Sequence, residues 1–137
     1  MPKLLILDDD PNRERGCKNA LASSYLQPSE WRVERSSHAF LHAASDFDKE
    51  VEVVSLDHDL LVDDRMDGLD VVRVLVQAGL LLQACFIIHS SNADRAVMMA
   101  GELELDGRSV RLVAPFGDNW ATDQWMPIVH RMMRSHQ

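Results

Sequence analysis

Cysteine, basic charge and long apolar runs are all scarce in this chain, and each shortage removes a class of protein. There are two cysteines, Cys17 and Cys85, one in a predicted helix and one in a predicted strand. Each reads as a small core hydrophobe, and a disulfide framework is excluded. Lys and Arg number 14 against 22 Asp and Glu, a net charge of −8. Broad binding to duplex nucleic acid draws on counterion release from a basic surface, so it is not expected. A small phosphorylated ligand held through a metal ion remains compatible with that charge. The apolar run at residues 4–7 turns acidic at once, unlike a signal peptide, and Leu80-Leu81-Leu82 is far too short to span a bilayer. No membrane segment and a cytoplasmic location are therefore expected. No Gly/Ser-rich or Pro-rich stretch and no internal repeat divides the chain. At 46% hydrophobic, residues 1–137 are expected to form a single domain around one core.

What the chain does have is three short apolar runs, each followed directly by polar, ionisable residues. Leu4-Leu5-Ile6-Leu7 leads into Asp8-Asp9-Asp10, Val53-Val54-Ser55-Leu56 into Asp57-His58-Asp59, and Phe86-Ile87-Ile88 into His89-Ser90-Ser91-Asn92. Such runs read as buried strands of a parallel sheet. Groups just beyond the carboxyl ends of adjacent parallel strands converge on one crevice. Carboxylates, imidazoles and an amide gathered there make a metal or phosphate site.

The remaining pattern alternates strand and helix. Strands are predicted at 3–7, 31–35, 51–56, 84–88 and 110–113. Asp10-Pro11 opens the first helix, with Asp10 as its cap and Cys17, Ala20, Leu21 and Tyr25 as its buried stripe. Ser36 or Ser37 caps a short second helix carrying Ala39, Phe40 and Ala43. The third starts near Asp67-Gly68, buries Leu69, Val72, Leu75 and Val76, and ends at Gly79. The fourth follows Asn92 with Val97, Met98, Leu103 and Leu105 as its apolar positions. The fifth begins around Thr122 or Asp123, because Pro127 is tolerated only in a first turn. Its core positions are Ile128, Val129, Met132 and Met133. Right-handed crossovers then give an α/β fold, a doubly wound five-stranded parallel sheet in the order 2-1-3-4-5.

Oxygen donors without cysteine suit Mg²⁺ or Mn²⁺, and adding an imidazole shifts preference toward Mn²⁺, Fe²⁺ or Zn²⁺. Asp8, Asp9, Asp57 and Asp59 are the candidate ligands, Asp57 and Asp59 sharing one side of an extended chain. His89 is the candidate general acid or base, with His58 second. Arg13, Ser90 and Asn92 are candidates for holding phosphate oxygens. Simpler roles attach to other residues. Asp63, Asp64 and Asp67 read as a solvated loop and a helix start, and His38 and His42 as an exposed face. Met98, Met99, Met132 and Met133 read as core filler. Trp120 and Trp125 either cover the core or rim the crevice.

Asp8-Asp9, Asp57, Met66-Asp67-Gly68-Leu69 and Pro115-Phe116 together resemble a response-regulator receiver domain. That resemblance implies a divalent cation on Asp8 and Asp9, a phosphoacceptor at Asp57 and a contacting hydroxyl at Ser90. Departures accompany it: Ala114 stands where receivers carry a lysine and Leu112 where they carry a switch aromatic. The loop from Asp57 to Asp67 is longer than usual, and His58 and His89 have no receiver counterpart. A closer resemblance is to the cyclic-phosphate-processing receiver-like domains, carried by Leu7-Asp8-Asp9 with Arg13, Trp31, Ser55-Leu56-Asp57-His58-Asp59-Leu60 and His89-Ser90-Ser91-Asn92. It implies a metal-dependent role on cyclic phosphates, either cyclic nucleotides or RNA ends. A phosphoacceptor receiver of two-component signalling and a non-catalytic receiver-like binding module are the alternatives.

Overall fold

Strands form where the apolar runs stand, and the helices between them cover both faces of the resulting sheet. A computed structural model describes residues 1–60 and 64–134; Asp63 lies outside the described residues. The strands are β1 (Leu4–Leu7), β2 (Trp31–Glu34), β3 (Val53–Leu56), β4 (Cys85–His89) and β5 (Val110–Val113). The helices are α1 (Pro11–Ala22), α2 (Ser37–Asp46), α3 (Gly68–Ala78), α4 (Ala93–Leu105) and α5 (Met126–Met132). All strand pairs are parallel, and the order is β2-β1-β3-β4-β5. Among the described residues no helix is long and apolar enough to cross a membrane.

Every residue of β1 and β3 is buried, as both faces of a covered parallel sheet require. Leu5, Leu7, Val54, Leu56, Phe86 and Ile88 pack with α2, α3 and α4 on one face. Leu4, Ile6, Val53 and Ile87 pack with α1, α5, Trp120 and Trp125 on the other. The ladder runs one residue past two strands, since Asp8 N–H donates to Glu34 O and Asp57 N–H to Leu7 O. Alternation therefore continues, and Asp8, Asp57, Ser55 and His89 all fall on the α1/α5 side.

Local signals explain most boundaries. Asp10 caps α1 by accepting from the Asn12 and Arg13 amides, Ser36 caps α2, and Asp67 with Asp70 forms a capping box on α3. Gly79, at φ 67°, closes α3 in the left-handed conformation that glycine adopts without penalty. Just beyond it Arg108 is buried, donating to the carbonyls of Leu75, Leu80 and Leu81 and to Asp106. A cation there also offsets the negative end of the α3 dipole.

Several expectations need correction. α4 buries Ala96, Met99, Ala100 and Leu103, whereas Val97, Met98 and Leu105 are exposed, Leu105 by 91%. The buried set has the i, i+3, i+4, i+7 spacing, but two of its members are alanines, so side-chain size pointed to the wrong stripe. α1 stops at Ala22, which leaves Tyr25 exposed. β3 starts at Val53 rather than 51, because the Val51 amide closes a turn onto Phe47. α5 is preceded by a wide π-helical turn at Ala121–Trp125, with Pro127 in the first turn of the regular helix.

Candidate metal and phosphate site

Three carboxylates converge where β1 and β3 end. Oxygens of Asp8, Asp9 and Asp57 all lie within 4.8 Å of one another. This is the switch point of the strand order, where the crossovers leave β1 and β3 in opposite directions. Asp8 and Asp57 are buried and Asp9 is half-buried. Asp8 Oδ1 accepts the Asp10 amide at 2.8 Å, and Asp57 Oδ1 accepts the His58 amide at 2.8 Å. Arg13, one turn into α1, bridges their other oxygens: Nε donates to Asp8 Oδ2 at 2.9 Å and Nη2 to Asp57 Oδ2 at 2.7 Å.

The two buried acids differ in acidity. Burial and the neighbouring Asp8 charge push the Asp57 carboxyl up to about 6, against the opposing pull of His89 and Arg13. Burial also works to raise Asp8, but hydrogen bonds from His89, Arg13 and the Asp10 amide outweigh it and hold Asp8 below the ordinary range. The site thus keeps one acid firmly ionised beside one that protonates readily. A donor set made only of carboxylate oxygens, two of them already oriented by backbone amides, fits a hard divalent cation.

Beneath Asp8 runs a buried hydrogen-bond chain. Trp125 Nε1 donates to Ser55 Oγ at 2.9 Å, Ser55 Oγ lies 2.6 Å from His89 Nδ1, and His89 Nε2 lies 2.9 Å from Asp8 Oδ2. The Ser55 hydroxyl thus accepts from Trp125 and hydrogen-bonds His89 Nδ1, while the other ring nitrogen faces Asp8. Trp120 stacks on the imidazole, with centroids 5.9 Å apart. His89 is fully buried with both ring nitrogens engaged. In this geometry the imidazole of the expected general acid contacts a carboxylate of the cluster directly, an arrangement common around metal sites.

The other expected site residues divide. Asp59 does not join the three acids; it is 58% exposed and its Oδ1 lies 2.8 Å from His58 Nδ1. Period-2 alternation fails there because the chain leaves the sheet after Asp57, where the His58 carbonyl accepts the Gly68 amide at 2.8 Å. His58 is buried, its Nε2 3.3 Å from Asp67. Ser90, buried at the end of β4, accepts the Asn92 amide, and Asn92 caps α4 through the Arg95 amide. Asp64 is more than loop, since its carboxylate takes both the amide and the hydroxyl of Ser37. His38 and His42 are exposed on α2, as expected.

Residues 3–105 match the family model of the cyclic-phosphate processing receiver domain. The chain belongs to this family. Its fold is similar to that of the chemotaxis response regulator CheY4 of Vibrio cholerae, at 16% identity over 97% of this chain and 99% of that one, TM-score 0.69. It is similar also to the phosphorylated cyanobacterial phytochrome response regulator RcpA, at 14% identity over 100% and 98%, TM-score 0.75. A response regulator receiver protein from Pseudomonas putida aligns at 16% identity over 95% and 96%, TM-score 0.63. No curated protein matches the sequence.

In this cyclic-phosphate processing receiver domain, the positive charge against Asp57 comes from Arg13 of α1, with Ala114 exposed after β5. Sequence reasoning missed the part of Ser55 in the site and left Trp120 and Trp125 open between core and crevice; they contact His89 and Ser55 from the core side. For Ser55 a signal existed, a lone hydroxyl inside an apolar run. The tryptophans stayed undecided because the π-helical turn at Ala121–Trp125 has no sequence marker.

Proposed function

We propose that this domain binds a divalent cation, Mg²⁺ or Mn²⁺, on Asp8, Asp9 and Asp57, and hydrolyses a cyclic phosphodiester there with water as nucleophile. The observation that carries this reading is the three-carboxylate cluster clamped by Arg13 and lacking a lysine at position 114. When bound, the cation supplies neutralisation of phosphoryl charge and a water of lowered pKa. Arg13 retains donors beyond the two it uses on Asp8 and Asp57, and these suit the oxygens of a ring phosphate. The Ser90 hydroxyl proton and the side-chain Nδ2 of Asn92, both following β4, are the donors this reading assigns to the remaining oxygens. His89 keeps Asp8 ionised and oriented. The substrate class is a cyclic nucleotide or an RNA 2′,3′-cyclic phosphate, and the family assignment supports that chemistry.

The phosphoacceptor alternative requires a carboxylate oxygen of Asp57 as a nucleophile, and both are engaged, Oδ1 by the His58 amide and Oδ2 by Arg13. Arg13 holds Oδ2 at 2.7 Å, and neither lysine nor switch aromatic is present to read a phosphoryl group. The test is a turnover screen on 2′,3′- and 3′,5′-cyclic nucleotides with Mg²⁺ and Mn²⁺. Turnover is expected in the wild type and absent in Asp57→Asn. A wild type inert with both metals removes the catalytic reading. A long-lived phosphoryl group on Asp57 after exposure to small phosphodonors restores the receiver reading.

A further inference from the structure

A groove of about 500 Å³ adjoins the acidic cluster on its α1 side. Asp9 belongs to both, so the groove borders the cation site. The rest of its polar wall is Glu14, Arg15, Lys18, Asn19 and Arg35. Arg15, Lys18 and Arg35 outnumber the two carboxylates of the wall, Asp9 and Glu14, so the groove is locally positive in a chain of net charge −8.

The cations are held in place. Glu14, itself buried, accepts Arg35 Nε at 2.7 Å on one oxygen and Arg35 Nη2 at 2.9 Å on the other, where Lys18 Nζ also sits at 2.6 Å. Those hydrogen bonds, Arg35 first, hold the Glu14 carboxyl down to about 2. Arg35 comes from the loop after β2 and Lys18 from α1, and one post fixes both side by side. Their side chains remain 71% and 45% exposed. Glu14 uses two of the five guanidinium N–H donors and one of the three on the ammonium. Two long side chains already held in one geometry lose little further rotamer freedom on meeting an anion. A second hollow at the start of α2 also carries Arg35 and Arg65, but its residues do not include any of the three clustered acids, and its Asp64 carboxylate is engaged with Ser37.

We infer that this groove holds a second phosphate of the substrate, the phosphodiester joining the cyclic-phosphate nucleotide to its 5′ neighbour. The substrate class is then the 2′,3′-cyclic end of an RNA strand, not a free cyclic mononucleotide. This rests on the reading above that a cyclic phosphate sits at Asp8, Asp9 and Asp57. The groove's volume suits a nucleotide-sized group. One or two phosphates engaged this way need no broadly basic surface.

The test compares two probes by titration calorimetry with Mg²⁺ present: adenosine 2′,3′-cyclic phosphate, and the dinucleotide ApA bearing a 2′,3′-cyclic phosphate. The dinucleotide is expected to bind about tenfold tighter, the low end for a charge-assisted hydrogen bond. In Lys18→Gln and in Arg15→Gln, both surface changes, the ratio of the two affinities is expected to fall toward unity. Raising salt should also shrink that ratio. Equal affinities in the wild type overturn the groove inference and leave the cyclic-phosphate reading standing. A preference that survives both substitutions overturns it as well, by assigning the second phosphate elsewhere. If neither probe binds, the cyclic-phosphate reading fails and takes this inference with it.

Discussion

Arg13 Nη2 lies 2.7 Å from Asp57 Oδ2, and Nε of the same guanidinium lies 2.9 Å from Asp8 Oδ2. An internal cation thus already occupies two of the three carboxylates that would hold a metal. Removing its charge leaves those acids less neutralised. Arg13→Gln is therefore expected to bind Mn²⁺ tighter, on the order of tenfold for one nearby charge at an effective dielectric of the protein surface. The same variant should lose affinity for a cyclic phosphate, because the phosphate loses its guanidinium. Calorimetric titration of each ligand reads both. Weaker Mn²⁺ binding in the variant would mean that Arg13 shapes the acids for the cation rather than competing with it.

Asp57 sets a pH dependence. Its carboxyl is pushed up to about 6 from an ordinary 3.8. A cation must displace that proton at lower pH, so Mn²⁺ affinity is expected to be level above about pH 6 and to fall below it. The sign for stability runs the other way. A raised folded pKa means the folded state binds the proton more tightly, so this contribution is full below about 3.8 and is lost as pH rises through about 6. Asp57→Asn removes that loss. With chelator present, its melting temperature relative to wild type is expected to be higher at pH 8 than at pH 5, and Mn²⁺ should no longer stabilise it. A constant difference between the two pH values would remove Asp57 as the titrating group.

The chain from Trp125 through Ser55 and His89 to Asp8 separates two roles for the imidazole. If His89 orients Asp8, His89→Ala costs metal affinity as well as rate, about 10- to 100-fold as typical for such outer groups. If it is a general acid, rate falls and metal affinity stays. Trp125→Phe keeps the ring in the core but deletes the donor to Ser55, and is expected to weaken Mn²⁺ binding in the same direction by a smaller factor. Calorimetry on both variants, with melting temperatures to monitor the fold, distinguishes the roles.

Much of the fold was legible because parallel strands buried on both faces announce themselves as unbroken apolar runs. The acids following Leu7 and Leu56 located the crevice for the same reason. Less legible was anything depending on where the chain leaves the sheet. Asp59 looked like a partner of Asp57 by alternation, yet one hydrogen bond from Gly68 to His58 turns it out toward solvent. His89 has the chemistry of a catalytic base, but its burial is set by Trp120 and Trp125, some 30 residues away along the chain. Glu14 and Arg35 pair across |i−j| = 21 without any local pattern. Such tertiary pairings leave no period in the sequence.

Arg108 offers a stability test away from the site. Its guanidinium satisfies carbonyls at the α3 terminus and lies 5.5 Å from the centroid of the Phe86 ring. Arg108→Ala strips buried acceptors of their donor and should cost about 2 to 4 kcal/mol in urea unfolding. Arg108→Lys should recover only part, since one ammonium cannot reproduce the fork. A loss below about 0.5 kcal/mol in Arg108→Ala would mean water replaces the guanidinium at no cost.

Gly68 ties the backbone to the site. It begins α3 directly against the end of β3, and its amide donates to the His58 carbonyl. A methyl at this position would lie 2.7 Å from the His58 Cα and closer still to the Asp57 carbonyl oxygen. Neither is a flexible side-chain tip, so the backbone itself must shift. The same two residues carry the Asp57 carboxylate and the amide that orients it. Gly68→Ala is therefore expected to lose about 1 to 3 kcal/mol of stability, the usual range for overpacking. It should also weaken Mn²⁺ binding at temperatures where the variant is fully folded, because an ångström of displacement at Asp57 breaks the convergence of the three acids. Met99 Cε, at 2.8 Å, also meets the new methyl but can swing aside. Met99→Ala combined with Gly68→Ala should therefore restore neither property. Recovery of metal affinity in that double variant would show that the clash lies with the methionine and not with the backbone that carries Asp57.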